Sequence, residues 1–317
     1  MKRALVLLLF ATTPAFAQVV ASTPRGVVVA KPGHEVQTPT AIVVGRDRIA
    51  VLDALNNEAA IIEQPSGRTT RVQTAETPIA GAFVGRDLYV LARDARVVQR
   101  IGGARIAVAA DPAFLRESNG TLYVYSRATG TIEEIANDRV TRRVTVAPFA
   151  SDFEIDGRVA YLLYPRDARI RTIDLRAMKT TGVVSVGAVP VDMAFAGGGT
   201  AITARILAVA DPSAKRVWLT EGTQSTVQAV ARGFLRGFLG LGLFGSRASQ
   251  FPTGVDRVVI RGKQWIAYDS SSGTLYRFTK SKSSVIAKGI APKGFAVTAD
   301  GVVYWKDGKL VAPKNAQ

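Results

Sequence analysis

The sequence has no cysteine and a single histidine among its 317 residues. The absence of cysteine excludes disulfides, thiolate metal ligands and a cysteine nucleophile, and also a lipoprotein anchor on an N-terminal cysteine. The one histidine, His34, lies in a turn-like stretch, which excludes a multi-histidine metal site and leaves a Ser-His-Asp triad little to build on. No G-x-S-x-G motif, phosphate-binding glycine loop or EF-hand loop occurs. The sequence therefore favours a protein that is not an enzyme and has no cofactor.

Long hydrophobic runs are also missing, since a transmembrane helix needs about 20 apolar residues. The first 17 residues instead carry Lys2 and Arg3, a short apolar run over 4–10, and the ending Ala15-Phe16-Ala17. A basic start, a short apolar run and small residues at the end are typical of a secretory signal peptide. We therefore predict cleavage after Ala17 and a soluble mature protein, 18–317, in the periplasm or outside the cell.

Negative charge is scarce. The chain has 41 Lys and Arg against 25 Asp and Glu, a formal net charge of +16, and loss of Lys2 and Arg3 would leave +14. Such a surplus attracts anionic partners over a long range that salt shortens. Anionic envelope polymers are therefore candidate partners, and no motif predicts specific nucleic-acid recognition. The alternative interpretation is the ordinary basicity of many exported proteins.

What the chain does contain is a repeat. Val44-Gly45-Arg46-Asp47 and Val84-Gly85-Arg86-Asp87 are each followed by an apolar stretch, and looser copies run to the C-terminus. A proline starts each copy, and consecutive prolines are 34 to 42 residues apart except for one gap of 62: Pro39, Pro78, Pro112, Pro148, Pro190, Pro252 and Pro292. Four short strands per repeat of about 40 residues are typical of a propeller blade.

The repeats predict an all-β fold, a seven-bladed β-propeller of four-stranded antiparallel blades in a single domain, with six blades as the alternative. The last unit ends one strand short, whereas the strand Gly26–Ala30 precedes the first unit without a unit of its own. We expect this N-terminal strand to complete the last blade and close the ring, which would remove an exposed sheet edge.

A family resemblance supports this fold. Val184-Ser185-Val186-Gly187-Ala188-Val189-Pro190, with Ile173-Asp174-Leu175 upstream, resembles the YVTN-type repeats of exported bacterial propellers. The starts Pro252-Thr253-Gly254-Val255 and Pro292-Lys293-Gly294-Phe295 resemble those of NHL-type propellers. The resemblance implies the fold, while both binding proteins and enzymes are built on such propellers.

Basic residues recur in the turns between second and third strands, and Arg-Asp-Ala-Arg occurs twice, at 93–96 and 166–169. In a propeller these turns share a face with the connections between blades. Guanidinium groups there suit phosphate or carboxylate partners, although such turns are also ordinary, with an Asp that makes the turn. The predicted binding residues are Arg93, Arg96, Arg127, Arg166, Arg169, Lys215 and Arg216.

The gap of 62 residues predicts an insertion at 231–251, rich in glycine, phenylalanine and leucine and flanked by arginines. Such a loop can dock on a partner or lie in a membrane interface, or fold back as a plug over the disc. Its predicted contact residues are Phe234, Leu235, Phe238, Leu241 and Phe244.

The residues support three hypotheses. The first is an exported, non-catalytic, monomeric binding or scaffold protein of the cell envelope, which engages a protein partner or an anionic polymer. The second is a metal-dependent hydrolase of the lactonase or phosphotriesterase type, with Ca²⁺ held in the central channel by Asp152, Asp192 and Asp256. The third is a peripheral membrane-surface protein that uses the loop 233–245.

Overall fold

The structure is a computed structural model. It describes residues 20–23, 26–29, 39–63, 66–186, 190–196, 205–213, 215–222, 247–261, 264–279, 282–292, 294–297, 301–306 and 309–311. Within these residues the chain is built from strands, and one short 3-10 helix, Pro165–Asp167, follows a strand end. No described helix is long and apolar enough to cross a membrane.

The first two strands form a hairpin, and the rest form sheets numbered here in chain order. The hairpin is β1 Val20–Thr23 and β2 Gly26–Val29. Sheet 1 is β3 Ala41–Val44, β4 Arg48–Asp53, β5 Glu58–Glu63 and β6 Thr69–Gln73. Sheet 2 is β7 Pro78–Val84, β8 Asp87–Ala92, β9 Val97–Arg100 and β10 Arg105–Ala107. Sheet 3 is β11 Pro112–Ser118, β12 Thr121–Ser126, β13 Thr131–Ala136 and β14 Arg139–Thr145.

The remaining sheets follow the same pattern. Sheet 4 is β15 Asp152–Asp156, β16 Val159–Tyr164, β17 Arg169–Asp174 and β18 Lys179–Ser185. Sheet 5 is β19 Asp192–Ala196, β20 Arg205–Asp211, β21 Arg216–Gly222 and β22 Arg247–Gln250. Sheet 6 is β23 Arg257–Arg261, β24 Gln264–Asp269, β25 Thr274–Phe278 and β26 Ser283–Ala287. Sheet 7 is β27 Phe295–Val297, β28 Val302–Lys306 and β29 Lys309–Val311.

Every sheet is an antiparallel meander, with strands hydrogen-bonded in the order in which they follow along the chain. The first strands neighbour one another in the order β3, β7, β11, β15, β19, β23 and β27, and β27 returns to β3. Side chains close the same junction, because Val303 and Trp305 of sheet 7 pack against Ile49 and Val51 of sheet 1. The sheets therefore form a closed ring with their first strands innermost, and the predicted all-β propeller of four-stranded antiparallel blades is confirmed.

The N-terminal segment differs from the prediction in detail. The sequence placed Gly26–Ala30 beside the last unit because its run of valines is typical of a strand. In the structure Gly26–Val29 pairs with β1, and it is β1 whose backbone comes within 8 Å of β29. The described residues show no hydrogen-bonded register between β29 and either strand of the hairpin.

One backbone hydrogen bond recurs in six sheets, at the end of the turn between the second and third strands. The residue that ends each turn between second and third strands has a φ of 48° to 62°, and its carbonyl accepts a hydrogen bond of 2.7 to 3.0 Å from an N–H that follows the fourth strand. This links each turn to the connection that leads into the next sheet. The residues are Asn57, Arg96, Gly130, Ala168, Lys215 and Gly273.

Candidate functional site

The turns between second and third strands share one face of the ring with the connections between sheets. We call it the turn face and define it by the turns 54–57, 93–96, 127–130, 165–168, 212–215 and 270–273 together with those connections. Direct hydrogen bonds prove the proximity: Arg93 N donates to Thr77 O at 2.9 Å, and Arg127 N donates to Asp111 O at 2.9 Å. The predicted basic residues therefore lie together on one face.

The described basic side chains of the turn face are exposed, and they differ in their partners. Arg93 pairs with Asp94 at 3.3 Å and Arg127 with Asp111 at 3.4 Å. A hydrogen bond from Thr77 and another from Arg93 hold the pKa of Asp94 below its usual range. In the part of the chain that the structure describes, no ion pair involves Arg96, Arg166, Arg169 or Lys215. These four exposed side chains therefore carry positive charge without an ion-pair partner among the described residues. Arg216 is the first residue of β21.

Two of the predicted binding residues are also the last residues of their turns, where the backbone is left-handed. Arg96 and Lys215 have φ values of 54° and 51°, at the place that Gly130 and Gly273 occupy in sheets 3 and 6. Glycine and asparagine adopt this left-handed backbone conformation at a lower energetic cost than residues with long side chains. The turn geometry therefore does not explain why arginine and lysine stand there.

The sequence prediction missed an exposed aromatic residue on the same face. Phe149 lies in the connection between sheets 3 and 4, its side chain is 67% exposed, and its φ is 64°. A phenylalanine both exposed and in the left-handed region is unusual, and backbone strain of this kind clusters at functional sites. One sequence signal was available: Phe149 is the one aromatic residue directly after a repeat proline.

Two tyrosines hold the segment that carries Phe149. The hydroxyls of Tyr125 and Tyr164 donate to Ala147 O at 3.1 and 2.6 Å, and Ala150 N donates to Tyr125 Oη at 3.1 Å. Phe149 N donates to Arg127 O at 2.9 Å, which places the ring beside a basic turn. The aromatic side chain is therefore presented to solvent from a backbone that is fixed on both sides.

A second exposed apolar side chain stands in the turn of sheet 1. Leu55 is 78% exposed. The buried carboxylate of Asp53 accepts hydrogen bonds from Leu55 N at 3.0 Å and Asn56 N at 3.1 Å, so the turn is an Asx turn that holds Leu55 outward. The turn face thus combines fixed apolar side chains with basic ones.

The innermost strands carry a different set, a cluster of charged side chains across four sheets. Arg116 of β11 donates to Glu154 Oε1 of β15 at 3.0 and 2.8 Å and lies 3.6 Å from Asp152 Oδ1. Asp152 Oδ2 accepts from Met193 N at 2.9 Å, and Asp192 Oδ2 accepts from Val258 N at 2.5 Å. Each of these two aspartates is the first residue of its strand and bonds the backbone of the next sheet, so the cluster joins neighbouring sheets.

The carboxyl groups of Asp152 and Asp192 lie close enough to influence each other's protonation. Burial raises the pKa of Asp192 well above its usual range, and the neighbouring Asp152 carboxyl raises it further, while Arg257 and Val258 N–H oppose the shift. Burial also raises the pKa of Asp152 against the opposing charge of Arg116. Both shifts disfavour the ionised carboxylates, and the effect is stronger for Asp192.

The third predicted carboxylate does not belong to this cluster. Asp256 precedes β23, and its carboxylate accepts hydrogen bonds from the backbone N–H and the hydroxyl of Ser270. The position of Asp152 and Asp192 is held in sheet 6 by Arg257, whose guanidinium lies 4.7 Å from the centre of the Phe295 ring. All three aspartates lie at or directly before the start of a first strand, as expected, and their grouping around a Ca²⁺ ion stays a prediction. Among the described residues no group of three or more His, Cys, Asp or Glu side chains has the arrangement of a metal site.

The other predicted residues lie outside the described part of the chain. These are His34 and, in the predicted insertion, Phe234, Leu235, Phe238, Leu241 and Phe244. The C-terminal end of the predicted insertion is described: Arg247–Gln250 is β22, the fourth strand of sheet 5, and Phe251 is buried in the core beside it.

Comparison with known proteins shows the fold. No protein family model matches the sequence, and no curated protein matches it. A catalytically inactive variant of virginiamycin B lyase from Staphylococcus aureus with quinupristin is similar with a TM-score of 0.65 and 12% identity over 93% of this chain and 97% of that one. A chain of the mitotic checkpoint complex has a TM-score of 0.60 and 12% identity over 96% and 95%. BamB from Moraxella catarrhalis has a TM-score of 0.54 and 11% identity over 91% and 93%.

These similarities and the ring of sheets define the chain as a β-propeller. At identities of 11 to 12% they show the fold alone. The neighbours include both a lyase and a component of an assembly, so the fold does not determine the function of this chain.

Proposed function

We propose that this chain is an exported β-propeller that binds a protein partner through its turn face and acts as a non-catalytic, monomeric scaffold of the cell envelope. The observation that carries the proposal is the exposed Phe149, held on a fixed backbone near basic turns in which Arg166 and Arg169 have no ion pair among the described residues. Exposed aromatic and arginine side chains are the residues that dominate protein interfaces. A polyanion would use the arginines but has no need of Phe149 or Leu55.

Three further features belong to the proposal. The ring is seven-bladed, with sheet 7 completed by the N-terminal hairpin that approaches β29. The repeats place the chain near the YVTN- and NHL-type propellers. The N-terminal sequence pattern supports export, for which Lys2 and Arg3 supply the basic start.

The enzyme alternatives have less support. Asp152, Glu154 and Asp192 already accept hydrogen bonds from backbone N–H groups or from Arg116, and a bound Ca²⁺ would have to compete with these donors. A role of the loop 233–245 at a membrane surface rests on its sequence alone.

Export is tested by the N-terminus of the mature protein. When the full chain is expressed with its first 17 residues, we expect secreted or periplasmic protein that begins at Gln18. N-terminal sequencing and the mass of the intact protein measure this. Replacement of Leu7 and Leu8 by Arg interrupts the apolar run and should leave unprocessed protein in the cytoplasm. Protein that keeps Met1 and stays in the cytoplasm would contradict export.

The turn face is tested by photo-crosslinking in the cell that makes the protein. We expect p-benzoylphenylalanine at Ala95 or Thr129, two exposed positions of the turn face, to give adducts of discrete protein mass. The matched control positions are Asn119 and Arg158, which are exposed in the turns between first and second strands on the opposite face. Adducts that disappear with nuclease or polysaccharide digestion would show an anionic polymer instead. Equal labelling from both faces, or none, would contradict the proposal.

A further inference from the structure

The connection between sheets 3 and 4 forms the best-defined part of the turn face, and it has basic turns on both sides. On one side is the turn 127–130: Arg127 O accepts from Phe149 N at 2.9 Å, and Gly130 O accepts from Val146 N at 2.7 Å. On the other side is the turn 165–168, which follows Tyr164, whose hydroxyl donates to Ala147 O at 2.6 Å. The backbone that carries the exposed Phe149 therefore contacts the turn of Arg127 on one side and, through Tyr164, the strand end that leads into the turn of Arg166 on the other.

The charges of this region do not cancel. Arg127 pairs with Asp111 at 3.4 Å, and Asp167 lies 3.8 Å from Arg171, whose guanidinium also covers the Tyr164 ring at 5.1 Å. Arg166 and Arg169 are exposed, and no ion pair involves them among the described residues. Each guanidinium offers donors in a fork that matches a carboxylate. The region thus presents carboxylate-binding groups around one aromatic ring.

We infer that the partner binds here through an acidic segment that carries an aromatic residue, with its carboxylates on Arg166 and Arg169 and its ring against Phe149. The inference rests on the proposed function and names the chemistry of the partner. Charge complementarity favours an acidic segment. The exposed ring favours an aromatic neighbour, because a pair of aromatic rings gains stabilisation beyond that from the apolar area it buries. The fixed backbone of 146–151 lowers the ordering cost of binding, since the backbone of Phe149 is already held in place.

The probes are fluorescently labelled poly-L-glutamate and a glutamate copolymer with a minority of tyrosine, of equal length, and binding is measured by anisotropy in a salt titration. We expect the purified mature protein to bind the copolymer about tenfold more tightly than the homopolymer. Phe149→Asn should abolish this preference, because asparagine tolerates the left-handed backbone but has no ring. The double variant R166E/R169E should weaken binding of both polymers at least tenfold at low salt, since it reverses both charges.

Matched controls are available in the same sheet. R158E/R176E reverses two exposed arginines on the opposite face, and Val183→Ser removes an exposed apolar side chain from β18; both should leave the two affinities unchanged. Binding of neither polymer, equal binding of both, or a preference that survives Phe149→Asn would overturn the inference. Cross-linking from Ala95 and Thr129 is a separate readout: protein adducts without copolymer preference would overturn the acidic aromatic segment and leave the proposed function standing.

Discussion

Gly130→Ala is expected to destabilise the fold by about 3 kcal/mol, far more than alanine at Gly120, which also has a positive φ. Gly130 has a φ of 61°, and a Cβ there would lie 2.3 Å from Val146 O and 2.9 Å from Pro148 N. The left-handed backbone alone costs a side chain about 1 to 2 kcal/mol. The clash adds to this, because it pushes away the connection that Gly130 O binds through Val146 N, with a net loss of about 1 kcal/mol for the hydrogen bond.

The control for this prediction is Gly120→Ala. Gly120 has a φ of 79° and nothing within 4 Å of its would-be Cβ, so only the backbone cost of about 1 kcal/mol remains. Urea unfolding at neutral pH measures both, and in thermal melts the two should differ in Tm by several degrees, at about 2 °C per kcal/mol for a chain of this size. Equal losses in the two variants would show that the connection 146–151 moves freely away from the turn.

The repeat predicted the propeller because a meander is a local structure. Each strand pairs with the strand that follows it, so the apolar stretches and turn residues in one repeat contain most of the information about one sheet. Gly85 illustrates this, since Val84-Gly85-Arg86-Asp87 predicts a hairpin turn and Gly85 has a φ of 60°. The shared face of the basic turns also followed from the meander, because alternate turns of an antiparallel sheet lie at the same end.

The contacts between sheets could not be predicted in the same way. Arg116 and Glu154 are 38 residues apart, and their pairing depends on which face of β11 meets β15 across the ring. Asp256 shows the limit clearly: it precedes β23 much as the other aspartates start their strands, but one residue of register places Arg257 in the cluster. The exposure of Phe149 depends on hydrogen bonds from tyrosines of two sheets, and the spacing of the prolines does not predict these hydrogen bonds.

Asp192→Asn is expected to make the protein more stable than the wild type at neutral and higher pH, with a difference that shrinks as the pH falls. The pKa of Asp192 is raised in the folded state, above all by burial and then by the Asp152 carboxyl. A carboxyl with a raised pKa contributes its stability below the unfolded pKa and loses it as the pH rises through the folded pKa. Each unit between the two pKa values corresponds to about 1.4 kcal/mol.

Asparagine has the shape of the protonated side chain. Its oxygen can still accept from Val258 N, and its neutral amide adds no negative charge beside Asp152. The variant therefore keeps this hydrogen bond and has no proton to lose. The attraction between Asp192 and Arg257 disappears as well, but it is outweighed in the wild type, since the pKa is raised in spite of it.

Asp269→Asn provides a control with the opposite sign. Burial would raise the pKa of Asp269, but hydrogen bonds from Ser271, Ser272 and Thr253 outweigh it and hold the pKa below its usual value. This carboxylate stabilises the fold above the unfolded pKa and loses that contribution in acid, so the variant should be less stable than the wild type at neutral pH and approach it as the pH falls. Urea unfolding of the three proteins measures both stability differences. The measurements run from about pH 4, near the ordinary pKa of a carboxyl group, to about pH 8, where an ordinary carboxyl group is ionised. If Asp192→Asn is destabilised by the same amount at every pH, the pKa of Asp192 is not raised in the folded state, and the cluster is a set of ionised side chains neutralised by Arg116 and Arg257.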